Sequence, residues 1–329
     1  MAGSLDAMNL DLLTFGEALV EVMRVESDQP LDRPGSFIGP YPSGAPFIFA
    51  AQAARLGART MAVGCVGDDA FGRCLVNQLH KDDVDLRGLH IVSYHSTGVA
   101  FIAYNADGSR DFVFHVAQAA AGQLNPDMLD GSFFEGLRCL HVSGSSLSVN
   151  DNVLKTGLRA LELAQKAGAK ISFDPNIRPQ LMPVERARDV FKPFVMAADV
   201  ILPTAEEVSS LTGISDLNTA VLSWLASKPE RVVVVTDGAN GCTVFTQAGM
   251  QHIPGFVVRE VDPTGAGDSF DAGFLVRWLE GDSPAEAARF ANACGALAVV
   301  EQGPMAGAKS VKEVQTFIFG GLQDPQTSI

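Results

Sequence analysis

From Leu137 onward the chain alternates short apolar runs with helical stretches. Leu140-His141-Val142 reads as a strand, Val153 to Ala167 as a helix stopped by Gly168, and Lys170 to Phe173 as the next strand. Asp199-Val200-Ile201-Leu202-Pro203 adds another strand, and Arg231 to Thr236, with its run of four valines, a buried one. Strands alternating with helices of this length argue for a doubly wound, mainly parallel sheet. In such a sheet ligands sit beyond the carboxyl ends of the strands. Residues placed just after each strand are therefore the first candidates for chemistry.

The densest stretch lies further on: Asp262-Pro263-Thr264-Gly265-Ala266-Gly267-Asp268-Ser269-Phe270-Asp271-Ala272-Gly273. Gly265 and Gly267 leave the backbone bare, so its N–H groups can approach a ligand closely. The apolar segment Phe270 to Leu279 reads as the start of a helix, and the unpaired N–H groups of a first helical turn attract an anion. Asp268 stands at the junction. An anion cradle beside a lone carboxylate is what phosphoryl transfer to a hydroxyl needs: donors for the moving phosphate and an acceptor for the hydroxyl proton. The alternative is a Gly-rich turn in which Asp268 is only an N-cap.

That stretch resembles, without a gap, the C-terminal signature of the ribokinase-like (PfkB) carbohydrate kinases, and the resemblance runs from Leu12 to Phe319. It implies an α/β fold: a ribokinase-like doubly wound, mainly parallel sheet flanked by helices, with a small β-sheet lid. It also implies a single sugar-kinase domain over residues 1–329, with lid segments at 22–46 and 97–117. Asp268 is then the catalytic base, and Gly265, Ala266 and Gly267 form the anion hole.

Other strings extend the resemblance. Glu21 falls where the family has an Asp that binds sugar hydroxyls; its alternative is an exposed strand residue. Ser43-Gly44 and the helix after it match the N-terminal signature, with Gly44 at the substrate, but Ile48 stands where a sugar-binding Asn is usual. Asn105 to Ser109, between strand-like flanks, is a hairpin signal, and the resemblance makes that hairpin part of the lid. Arg110 would then contact substrate, with His115 near the rim; a solvated strand end is the alternative for Arg110. Asp174-Pro175-Asn176-Ile177-Arg178 is a family string in which Arg178 meets the transferring phosphate or a sugar carboxylate, unless it forms a structural salt bridge. Glu207 fits the Glu of an Asn-x-x-Glu pattern that orders ATP phosphates and, through water, Mg²⁺, while Thr204 replaces its Asn and offers only part of an amide's hydrogen bonding; the same pair is also a capping box. Thr236, Gly238 and Gly241 are implied in ATP binding, as is Asn292, for which helix packing is the alternative. Asp262 is implied near a monovalent cation, K⁺ in related kinases.

Several decoys fall away. Gly303 to Ser310 is one residue from a phosphate-binding P-loop, but Ala308 replaces a required Gly and Pro304 lacks an N–H; Ser310 with Glu313 caps a final helix instead. Asp68 and Asp69 read as turn and N-cap residues. Ser145 and Ser146 do not complete a nucleophile elbow. Five scattered cysteines lack zinc or redox spacing and suit a cytoplasmic protein. A formal net charge of −14 argues against nucleic acid as a partner, and no apolar run suits a membrane span or a secretory leader.

The reading is an ATP- and Mg²⁺-dependent kinase for a ketohexose or keto-sugar acid of the fructose, tagatose or 2-keto-3-deoxygluconate type. The alternatives are a nucleoside kinase of the same fold, with Ile48 against the base, and a non-catalytic sugar- or nucleotide-sensing protein. The resemblance also admits a homodimer formed through the lid.

Overall fold

The computed structural model describes residues 9–320, so the expected span of 1–329 extends past it at both ends. The chain opens with β1 (Leu12–Gly16), buried throughout, then leaves it for a separate small sheet through β2 (Leu19–Arg24) and β3 (Phe37–Ser43). It returns through α1 (Ala45–Arg55) to β4 (Thr60–Gly67), α2 (Ala70–Lys81) and β5 (Leu89–Val92). The hairpin β6 (Gly98–Tyr104) and β7 (Arg110–His115) completes the small sheet. Strands and helices then alternate: β8 (Cys139–Ser143), the single turn α3 (Gly144–Leu147), α4 (Asp151–Lys166), β9 (Lys170–Asp174), α5 (Val184–Ala197), β10 (Val200–Ile201), α6 (Ala205–Thr212), α7 (Leu217–Ser227) and β11 (Val232–Thr236). Two antiparallel strands, β12 (Gly241–Thr246) and β13 (Gly249–Pro254), and three helices, α8 (Ala266–Glu280), α9 (Pro284–Ala298) and α10 (Val311–Gly320), follow.

Local chemistry explains the boundaries. The Asn150 side chain accepts from the N–H groups of Asn152 and Val153 to start α4, and Gly168, at φ 73°, turns the chain after it. Asp69 caps α2 by accepting from Gly72 N–H, and its other oxygen accepts from Thr97 N–H. The expected strand at Asp199–Pro203 pairs regularly only over Val200–Ile201. The Asp199 carboxylate is drawn to Ile171 N–H, Lys170 and Lys228, and Pro203 has no N–H to donate. The largest revision is α8. It begins at Ala266 rather than Phe270, capped by Gly265 at φ 81°, so Asp268 is the third residue of the helix and not its cap. Apolar side chains mark a buried helix face and not its first turn, which here is made of small residues.

The large sheet has the order β13-β12-β11-β10-β9-β8-β1-β4-β5, with β5 to β11 all parallel where they pair. Helices α1, α8 and α9 pack over one face and α4, α5 and α7 over the other. From β1 the chain steps to β4 and β5 on one side and later to β8 and β9 on the other. The order therefore reverses between β1 and β8, and a crevice opens at their carboxyl ends. The small sheet, β3-β2-β6-β7, stands over that crevice. Its first strand pairs from Leu19 with Gly98, three residues earlier than the lid boundary expected at 22.

Candidate active site

One cavity at this crevice gathers residues from the ends of β1, β8, β9, β10 and β11 and from the small sheet. At one end lies the first turn of α8. The N–H groups of Gly267 and Asp268 have no backbone acceptor among the described residues, as expected of a helix start. Gly265 is glycine by necessity: a Cβ there would fall 2.5 Å from the Pro304 carbonyl oxygen and 3.0 Å from Ile48 Cγ2, at a φ other residues avoid. A Cβ on Gly267 would meet no protein atom within 4 Å. The space beside it is cavity, open to the bare backbone.

Asp268 lines the same space, half-buried. Burial pushes its carboxyl up to about 7, and the nearby Glu17 carboxylate adds to this while Arg178 and Arg110 oppose it. Asp174 and Asp271 face the cavity beside it. Burial raises both well above the ordinary carboxylate range; Glu207 and Asp268 push Asp174 further up, and Asp174 and Asp268 do the same to Asp271. Asp271, 2% exposed, makes no hydrogen bond among the described residues. Behind it His141 stacks on Phe49 at 4.0 Å, and burial depresses its pKa to about 3, so that imidazole is neutral. Glu207 is held firmly: its Oε1 accepts from Ile177 N–H at 2.8 Å and its Oε2 from Thr204 N–H at 2.9 Å. The capping box and the position at the cavity therefore hold together for this pair.

The other end lies between the small sheet and the start of α1. Glu21 is not an exposed strand residue: it is 6% exposed, its Oε1 accepts from Ser43 Oγ at 2.6 Å, and burial raises it to about 7. Glu17, directly after β1, accepts from Ser145 Oγ at 2.7 Å and Ser146 Oγ at 2.6 Å, across the point where the strand order reverses. Arg178 forms no salt bridge among the described residues; it contacts the Ile177 carbonyl and lines the cavity. Arg110 also lines it, with its guanidinium 5.5 Å from the Phe112 ring. Apolar walls come from Ile48, Phe112, Phe114 and Leu181, and the two phenyl rings lie parallel at 5.3 Å.

Most of the residues singled out in the sequence thus converge: Glu21, Gly44, Arg110, Arg178, Thr204, Glu207, Thr236, Gly265, Ala266, Gly267 and Asp268 all line one space. Gly238, Gly241, Asn292 and Asp262 lie outside its lining. The Asn292 amide donates to the carbonyls of Ile253 and Pro254, tying α9 to β13. Asp262 accepts from Tyr104 Oη and Thr264 N–H on one oxygen and from Gly303 N–H on the other. Among the lining residues without a role assigned from sequence are Glu17, Ser145, Asp174 and Asp271. Each lies at or shortly after a strand end, or one turn past Asp268. Position just after a strand was the available signal for the first three.

A half-buried carboxylate at a helix start, with free backbone donors and further acidic side chains beside it, is an arrangement that suits phosphoryl transfer. The chain belongs to the pfkB family of carbohydrate kinases, which matches residues 9–310. It is 33% identical to probable fructokinase-2 of Arabidopsis thaliana over 93% of this chain and 95% of the relative. Among solved structures it is similar to an E. coli protein provisionally named ribokinase II, in complex with ATP and Mg²⁺: TM-score 0.88, 36% identity, 94% of this chain and 99% of that one. It is also similar to a double mutant of Vibrio cholerae fructokinase bound to fructose, ADP and potassium, with TM-score 0.81, 30% identity, and 94% and 99% coverage. The chain is an enzyme of this class, a sugar kinase.

Proposed function

We propose that this kinase transfers the γ-phosphoryl group of ATP to a hydroxyl of a ketohexose or keto-sugar acid, with fructose the first acceptor to test. The observation that carries the reading is the placement of Asp268. Its carboxyl, raised to about 7, sits in the first turn of α8 beside the bare backbone of Gly265 to Gly267, between the acidic cluster and the small sheet. A base poised near neutrality accepts a proton without being a strong acid in its conjugate form.

The acceptor lies under the small sheet, with hydroxyls reaching Glu21, Gly44 and Glu17. Asp268 takes the proton as the acceptor oxygen attacks the γ-phosphorus. The bond to the β,γ-bridging oxygen breaks and ADP leaves. The N–H groups of the α8 start stabilise charge on the moving phosphoryl, as fixed donors that need no reorganisation. Arg178 adds a full positive charge on the same side, or pairs with the carboxylate of a sugar acid. Thr204 and Thr236 flank the nucleotide phosphates, and Gly238, Gly241 and Asn292 belong to this reading on the adenosine side.

The residues present fit Mg²⁺, because Asp174 and Asp271 offer carboxyl oxygens to the cavity and Asp271 Oδ2 has no hydrogen-bond partner among the described residues. Bound there, the ion would neutralise phosphate charge, with Glu207 holding its outer water shell. K⁺ near Asp262 would need backbone carbonyls as well, since both carboxylate oxygens already accept hydrogen bonds.

Ile48, Phe112, Phe114 and Leu181 favour a second reading: an apolar surface of this kind suits the base of a nucleoside. Free cysteines among the described residues support a cytoplasmic setting. Exposed Phe37, Ile38 and Val113 on the small sheet would be covered in a homodimer.

The test is ADP release by purified protein with ATP and Mg²⁺ against ketoses, aldoses, sugar acids and nucleosides. Turnover with fructose or a keto-sugar acid supports the first reading, and turnover confined to nucleosides replaces it with the second. ATP binding without turnover on any acceptor would favour a sensing protein.

A further inference from the structure

The anion-hole loop is tied directly to the small sheet. Tyr104 is the last residue of β6, and its hydroxyl donates to Asp262 Oδ1 at 2.8 Å. With its proton on Asp262, Tyr104 Oη in turn accepts from the Thr264 hydroxyl at 3.0 Å. Asp262 Oδ1 also accepts from Thr264 N–H at 3.0 Å, and its Oδ2 accepts from Gly303 N–H at 2.9 Å. Thr264 immediately precedes Gly265. On the far side the Pro304 carbonyl packs against Gly265, so closely that a Cβ there would be 2.5 Å away.

A second tyrosine of the small sheet reaches the same junction. A Cβ on Gly303 would lie 2.7 Å from Tyr41 Cδ1, so the ring rests on that backbone. Gly303 to Ser310, the P-loop decoy in the sequence, thus has a different place: it backs the anion-hole loop. Across the hairpin, Tyr104 pairs with Arg110, which lines the acceptor end. One hydroxyl therefore connects the strand that carries an acceptor-side arginine with the loop that sets the phosphoryl-side donors.

We propose that Tyr104 is a positioning residue, which through Asp262 and Thr264 sets the anion-hole loop according to how the small sheet sits on the acceptor. The proposal rests on the kinase reading for its kinetic consequence, but its structural half does not. Phe at this position keeps the ring and removes only the hydroxyl, with its contacts to Asp262, Thr264 and Met23 Sδ, so Tyr104→Phe is the informative variant.

Hydrogen exchange in the ligand-free protein tests the coupling without any substrate. In Tyr104→Phe, the hydrogen-bonded amides of Thr264, Ala266 and Ser269 should exchange about tenfold faster while those of β8 and β9 stay unchanged. Kinetics test its use. Tyr104→Phe should lower kcat about tenfold with KM for ATP held within a factor of about two, because a slightly misplaced site costs rate more than binding. Thr264→Val should lower kcat similarly, and the double variant should be no worse than either single one. Unchanged exchange in the loop overturns the coupling. Changed exchange with full kcat, or additive losses in the double variant, overturns the positioning role. If the unaltered protein turns over no acceptor while the exchange result holds, the kinase reading fails and the coupling stands.

Discussion

The two ends of the cavity are made of different materials. The end proposed for the phosphoryl group is built on backbone, one glycine turn and one helix start, with Asp268 three residues past the turn and the carboxyls of Asp174 and Asp271 beside it. The acceptor end is side chain, assembled from β2, α1, α3, the β6–β7 hairpin and the segment after β9. Backbone donors at a helix start are fixed once the helix forms, whatever the substrate. Side chains from five separated segments can be exchanged one at a time. The first construction preserves a reaction, and the second lets its acceptor vary.

The contrast can be broken most severely at Asp268. Asp268→Asn should keep the fold and nucleotide binding yet lower kcat about 10³-fold or more, as loss of a general base does. A comparably large loss from a single acceptor-end substitution would contradict the division. Gly265→Ala comes next. The new methyl must displace the Pro304 carbonyl or Ile48, so kcat should fall about 10²-fold, measured at saturating ATP and acceptor.

Ile48→Asn sharpens the other side. It adds an amide facing the acceptor, so KM ratios between sugars and nucleosides should shift about tenfold, with kcat for the better acceptor little changed. Equal shifts for all acceptors would show that Ile48 does not read them.

The smallest expected effect is on stability. Burial raises Asp268 above its unfolded value, so the folded state holds the proton more tightly. Its contribution is present at acid pH and is lost as pH rises through about 7. At pH 8 the charged form is therefore disfavoured in the fold. Asp268→Asn should then raise stability on the order of 1–2 kcal/mol in denaturant titrations, and should give no gain at pH 4. Destabilisation at pH 8 would mean that the carboxylate is better solvated than its burial implies.

The same contrast explains what was legible in the sequence. The Gly265–Asp268 turn is contiguous, so its residues and their spacing reveal it. Only the helix boundary was misplaced, because apolar periodicity begins later than the helix does. The alternation of strands and helices after Leu137 announced the parallel sheet, and Thr204–Glu207 announced its own cap. Glu17 was legible as a site residue only through its place directly after β1. Its importance comes from Ser145 and Ser146, more than a hundred residues away, meeting it where the strand order reverses. Asp271 lay inside the stretch already recognised, but an Asp in a helix interior reveals its exposure only when the packing is known. Arg178 and Asp174 share one five-residue string because Asn176, at φ 37°, turns the chain and lets both ends of it line the cavity.

The most direct test of the central claim is the rate of ADP release with ATP, Mg²⁺ and fructose, measured side by side for the unaltered protein and Asp268→Asn. The account predicts acceptor-dependent turnover in the first and a loss of about 10³-fold or more in the second, with ATP affinity retained. Acceptor-dependent turnover that survives the substitution within a factor of about ten would contradict it, because the proton would then be taken elsewhere.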